Sequence, residues 1–162
     1  MNRLLFFSYY PTFQIEVQFL ESGGYRETDI GIYAKDGKKN PLLPIFEFEA
    51  RKLSHSSTNH EYVYGERGGM ERFKRERHSS HLLQCGMLGY VLCKDLNHWS
   101  NQINTWITSL ANQSPREGID WQGKDELLHF LGTNGTIAKF VSKNKRVTQS
   151  DITILHYLID LQ

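Results

Sequence analysis

The stretch Pro44-Ile45-Phe46-Glu47-Phe48-Glu49-Ala50-Arg51-Lys52-Leu53 holds the residues of this chain whose types and spacing best suit chemistry. On a strand, side chains two apart share a face, so Glu47, Glu49 and Arg51 point one way. Phe46, Phe48 and Ala50 point the other way and form a buried aromatic face. Two carboxylates at neighbouring same-face positions repel each other unless a cation or a proton lies between them. Three arrangements relieve that repulsion. A divalent cation is held by Glu49 and a second carboxylate, such as Asp29 on a neighbouring strand. Arg51 serves as an internal counter-ion. Or the whole face is solvated, which is ordinary on an antiparallel strand. The residues alone leave all three open.

The elements that must position these side chains are legible from periodicity. Ile15, Val17 and Phe19 alternate with Glu16 and Gln18, which predicts a half-buried strand. The turn signal Glu21-Ser22-Gly23-Gly24 follows, and Thr28 to Tyr33 alternates again. The polar loop Lys35 to Pro41 ends it, and a third strand is expected from about Leu43 to Ala50. Three short strands joined by turns predict an antiparallel meander. Further on, Ser79 or Ser80 is placed to cap a helix over about 81–93, apolar on most sides and therefore buried. Asn97 is placed to cap a second helix, in which Trp99, Ile103, Trp106, Ile107 and Leu110 recur at helical spacing. Pro115 and Gly118 break that pattern. A short helix is expected near Asp125–Leu131, then two strands, Thr136–Ser142 and Ile152–Asp160. Strands, helices and strands again make an α+β domain.

Composition bounds the rest. With 162 residues the chain is read as a single domain spanning 1–162. A net charge of +1 excludes a strongly basic nucleic-acid coat and an acidic tail, so any nucleic-acid contact must come from local patches. A hydrophobic fraction of 39% argues against wholesale disorder. The early apolar run Leu4–Phe7 is too short for a signal peptide or a membrane span, which points to the cytoplasm and away from membranes. Two cysteines, Cys85 and Cys93, are too few for a disulfide scaffold.

Asp29, followed by Ile45-Phe46-Glu47-Phe48-Glu49-Ala50-Arg51-Lys52-Leu53, resembles the PD-(D/E)XK nuclease superfamily, the restriction-endonuclease-like fold. That superfamily places an Asp on one strand of a β-meander and an acid-x-Lys tripeptide on the next. Tyr25 to Ile30 looks like the start of the Asp strand in bacterial members. Tyr62, Gly65, Arg72-Phe73, Met87-x-Gly89-Tyr90-Val91 and the closing Ile152–Asp160 are similar to segments those members carry afterwards. The resemblance implies a central mixed sheet with an N-terminal meander flanked by helices. It also implies Mg²⁺ or Mn²⁺ held by Asp29 and Glu49, with Glu47 and Glu27 as further carboxylates, and hydrolysis of DNA phosphodiester bonds in restriction, phage defence or repair. A homodimer is compatible with it, since nucleases that cut both strands often pair.

The chain departs from the superfamily at one position. Arg51 stands where the superfamily prefers Lys, and a guanidinium keeps its proton at any useful pH, so it cannot act as a general base. It can still orient a water or steady developing phosphorane charge. Lys52 substitutes only if a bulge turns it to the acidic face. A second register makes Glu47-Phe48-Glu49 the tripeptide, with Glu49 a ligand in either case. The alternative reading is a catalytically inactive nuclease-fold module that binds nucleic acid or a protein partner.

Basic residues fall in two runs. Residues 65–81 mix Arg67, Arg72, Lys74, Arg75 and Arg77 with Glu66, Glu71 and Glu76, the pattern of a solvated face that could also track a phosphate backbone. Lys139, Lys143, Lys145 and Arg146 have no acid among their sequence neighbours and are the better phosphate contacts. His78, His81, Cys85, Cys93 and His98 do not have the spacing of a zinc finger or ribbon, and the cysteines read as small core residues.

Overall fold

The structure, a computed structural model, describes residues 5–6, 13–17, 30–34, 44–65, 67–115 and 117–162. Among these are eight strands: β1 (Leu5–Phe6), β2 (Phe13–Val17), β3 (Ile30–Ala34), β4 (Phe46–Leu53), β5 (Gln84–Val91), β6 (His129–Thr133), β7 (Ile137–Asn144) and β8 (Ile152–Asp160). Between β4 and β5 come a single 3-10 turn, Asn59–Tyr62, and α1 (Gly69–Lys74); α2 (Leu96–Asn112) follows β5. The strands form one mixed sheet in the order β1-β2-β3-β4-β5-β8-β7-β6. Its first four strands pair antiparallel in sequence, which is the expected meander with one short strand added. The centre is parallel: β4 pairs with β5, and β5 with β8. Strands β7 and β6 close the far side antiparallel. The fold is therefore mixed α/β with few helices.

Parallel neighbours need crossovers, and the chain supplies them with the 3-10 turn and α1 after β4, and with α2 after β5. Asp95 caps α2, its carboxylate accepting the His98 N–H at 2.6 Å, two residues before the expected Asn97 cap. The helix buries Trp99, Ile103, Ile107 and Leu110. These meet Tyr62, Met70 and Phe73 from the first crossover and Leu53, Met87, Val91, Ile154 and Leu158 from the sheet, forming one core. Among the described residues both helices thus lie against one face of the sheet. The other face carries the remaining strand positions, most of them half-buried or exposed.

Three expected elements differ. The helix over 81–93 is strand β5, and Ser79 and Ser80 precede it in a turn rather than capping a helix. A strand buried between two parallel neighbours is apolar on both faces, so it has no period-2 signature. The helix near 125–131 is a turn that leads into β6, because Gly123 adopts φ +67° and the chain reverses there. On β4 the faces are inverted: Glu47 and Glu49 are buried, while Phe46 and Phe48 are only half-buried.

Candidate functional site

Burial of an acidic strand face requires cations to meet it, and these come from Arg51 on β4 itself and from the segment between β4 and β5. Gly69 lets α1 approach β5 closely; a Cβ there would stand 2.5 Å from the Met87 Cε. Docked in this way, α1 buries Met70 and Phe73 and carries Arg72 over β4. The Arg72 Nη1 donates to Glu49 Oε1 at 2.8 Å. The Arg51 Nη2 lies 3.2 Å from Glu49 Oε2. The His78 Nε2 stands 3.3 Å from Glu49 Oε1. Glu49 is 1% exposed, so both of its oxygens face protein cations rather than water. Two residues back along β4, Glu47 accepts the Ser79 hydroxyl in a short hydrogen bond. Ser79 adopts φ +52°, a left-handed conformation that costs a non-glycine residue energy and here aims the hydroxyl at the acid.

Arg51 is occupied in a further way. Its Nη1 donates to the Ala50 carbonyl at 2.8 Å, its Nη2 to the Arg67 carbonyl at 2.6 Å and its Nε to the Glu61 carbonyl at 3.4 Å. The guanidinium therefore ties the crossover backbone to β4 while it also meets Glu49. Lys52 is exposed on the opposite face. The β4–β5 ladder runs from Phe48↔Gly86 to Leu53↔Val91 without a register shift, so no bulge turns it toward Glu49. Asp29 and Glu27 lie outside the described residues. Among the described residues, no group of three or more His, Cys, Asp or Glu side chains is clustered as a metal ligand set.

Most of the residues expected to contact phosphate are drawn into internal contacts, Arg72 with Glu49 among them, whereas Lys139 is exposed and forms no ion pair among the described residues. Lys74 is fully buried, bonded to the equally buried Glu126, with its ammonium 4.6 Å from the Trp121 ring centroid. Burial lowers its pKa, and the Glu126 carboxylate opposes that shift. Lys145 pairs with Asp120 at 2.7 Å and Lys143 with Asp151 at 3.5 Å. Arg146 is buried, its Nε donating to the Ser150 carbonyl at 2.6 Å and its Nη1 to the Ser79 and Ser80 carbonyls at 3.3 Å each. The acids absent from the sequence neighbourhood of this cluster arrive from elsewhere in the chain. Arg77 is exposed and forms no ion pair among the described residues.

Cys85 and Cys93 are buried, and burial pushes the Cys85 thiol up, with Glu47 adding to the shift. Behind the Glu49 cluster runs a second polar chain: the Tyr62 hydroxyl is 3.0 Å from His156 Nδ1, and the Ser142 hydroxyl is 2.8 Å from His156 Nε2. His156 is fully buried, and burial lowers its pKa to about 3. It stays neutral at ordinary pH. Sequence reasoning misses His78 and Ser79 as partners of the acids, since spacing raises the histidine only as a zinc ligand. Periodicity carries no signal for either, because each acts on an acid 29 or more positions away in the chain.

Comparison of the chain with family models, with curated proteins and with solved structures finds no match.

Proposed function

We propose that this chain is a nuclease-like module of restriction-endonuclease-like fold that binds nucleic acid without cleaving it. The observation that carries the reading is the state of Glu49: its oxygens are met by Arg72, Arg51 and His78 in a nearly dry environment. A dication site needs carboxylate oxygens with negative charge to spare, and two guanidinium groups leave Glu49 none. Among the described residues the groups around Glu49 do not make a donor set that suits Mg²⁺. The finer fold assignment is supported by the antiparallel β2–β3–β4 meander, with the acid-x-basic tripeptide on its last strand, followed by parallel partners.

A second reading, a Mg²⁺- or Mn²⁺-dependent deoxyribonuclease, is favoured by one observation. Ile30 pairs with Phe48 in the antiparallel ladder, and the residues next to this pair in sequence are Asp29 and Glu49.

One assay separates the two. Purified protein is incubated with supercoiled plasmid and with Mg²⁺ or Mn²⁺, and both nicking and gel retention are read. Retention without nicking is the expected result. Nicking that disappears in both Asp29→Ala and Glu49→Ala overturns the non-cleaving reading in favour of the enzyme, and absence of both retention and nicking overturns the two together.

A further inference from the structure

The side of the sheet away from the helices is chemically distinct from the side with the buried acids. Along β4, β5, β8 and β7 its positions are apolar or aromatic in the middle and basic at the margins. The ladder registers set Ala50, Leu88, Tyr157 and Lys139 side by side in one row, and Lys52, Tyr90 and Ile159 in the next. The central side chains are half-buried; Lys52, Lys139 and Lys143 are exposed. No acidic residue occupies this face on those four strands. Lys52 and Lys139 form no ion pair among the described residues, whereas Lys143 pairs with the exposed Asp151.

The Phe48 side chain lies over the neighbouring strand β5. Gly86 leaves the backbone of β5 bare where Phe48 crosses it: a Cβ there would stand 2.2 Å from the Phe48 ring. Phe46 and Phe48 rings are 4.8 Å apart, and Phe48 meets Tyr157 edge-on at 6.1 Å. The result is an aromatic cluster, its rings inclined by 53° and 61° to one another, beside lysines on β4 and β7 that lie three strand spacings or roughly 14 Å apart.

We infer that this face is the binding surface for single-stranded nucleic acid. A single strand offers unpaired bases, whose π-faces stack on aromatic rings, and phosphates, which suit flanking ammonium groups. A duplex hides its bases and could use only the lysines. Exposed lysines without a carboxylate on this face of the four strands supply the charge complementarity. The inference deepens the nucleic-acid reading above and rests on it, but it is independent of the Glu49 cluster on the other side of the sheet.

The test is fluorescence anisotropy with a labelled oligothymidylate of about 20 nucleotides and with a duplex of equal length. The full chain should bind the single strand about tenfold more tightly than the duplex. Lys52→Glu/Lys139→Glu should weaken single-strand binding at least about tenfold with an unchanged thermal midpoint, since neither lysine is paired. Tyr157→Leu keeps the apolar bulk and should lose about tenfold through stacking. Arg77→Glu, placed away from this face, should leave affinity within about twofold. Oligonucleotide binding that ignores the face variants, or that prefers duplex, overturns the assignment while leaving the nucleic-acid reading standing. Binding of neither nucleic acid overturns both. Sedimentation with phosphatidylserine-containing vesicles, in protein that does not bind oligothymidylate, would assign the face to an anionic membrane surface instead.

Discussion

At the scale of single residues, Glu49 governs how the sequence motif is to be understood. A carboxylate this deeply buried survives only with its counter-ions in place, and breaking a buried pair from one side costs about 3–5 kcal/mol. Arg51 and His78 remain when Arg72 is removed, so Arg72→Ala should cost at the lower end, about 3 kcal/mol, measured by urea unfolding. The double variant Glu49→Gln/Arg72→Met should recover part of that loss, because no unpaired charge is left behind. A loss below about 0.5 kcal/mol for Arg72→Ala would mean that Arg72 does not hold the acid. The alternation of Glu and Phe on β4 is plain from sequence, but which set faces inward is not. Polar-out is the default for such a strand, and it fails here because the groups that meet Glu49 across the fold, Arg72 and His78, stand 23 and 29 positions along the chain. The same distance effect hides the buried Lys74–Glu126 pair, whose partners are 52 residues apart.

At the scale of elements, amphipathic patterns are readable and two-sided burial is not. The helix from Leu96 to Asn112 shows its apolar stripe directly, and β7 and β8 match the strands expected near 136–142 and 152–160. Strand β5 shows no such pattern, because Cys85, Met87 and Val91 face the helices while Leu88 and Tyr90 cover the other side. Its two interior glycines, Gly86 and Gly89, are the residues that speak against a helix there. Gly86 in particular receives the Phe48 ring, so Gly86→Ala should push that ring off the sheet and destabilise the protein by about 1–3 kcal/mol. Equilibrium denaturation checks this. A Gly86→Ala protein as stable as the parent would show that the ring is not seated against β5.

At the scale of the whole molecule, the buried His156 network makes stability depend on pH. The folded state holds this ring neutral down to about pH 3, whereas an unfolded histidine takes up its proton near 6.5. Between those values the unfolded chain binds more protons, so stability is complete above about pH 6.5 and falls as the pH drops toward 3. The slope reaches up to about 1.4 kcal/mol per pH unit. Denaturant midpoints at pH 7, 5 and 4 should decline accordingly, and His156→Leu should flatten the part of that decline between pH 6.5 and 4. An unchanged slope in that variant would assign the acid sensitivity to other groups.

The placement of β8 has a consequence for how the protein is made. It lies between β5 and β7, yet β5 ends at Val91 and β8 begins only at Ile152. During synthesis the first five strands must wait, with one flank of β5 bare, until Asp160 has cleared the ribosome. Until then an apolar segment with unmet backbone donors is exposed in the cell, which makes slow translation of the last third of the chain a hazard and early chaperone capture an advantage.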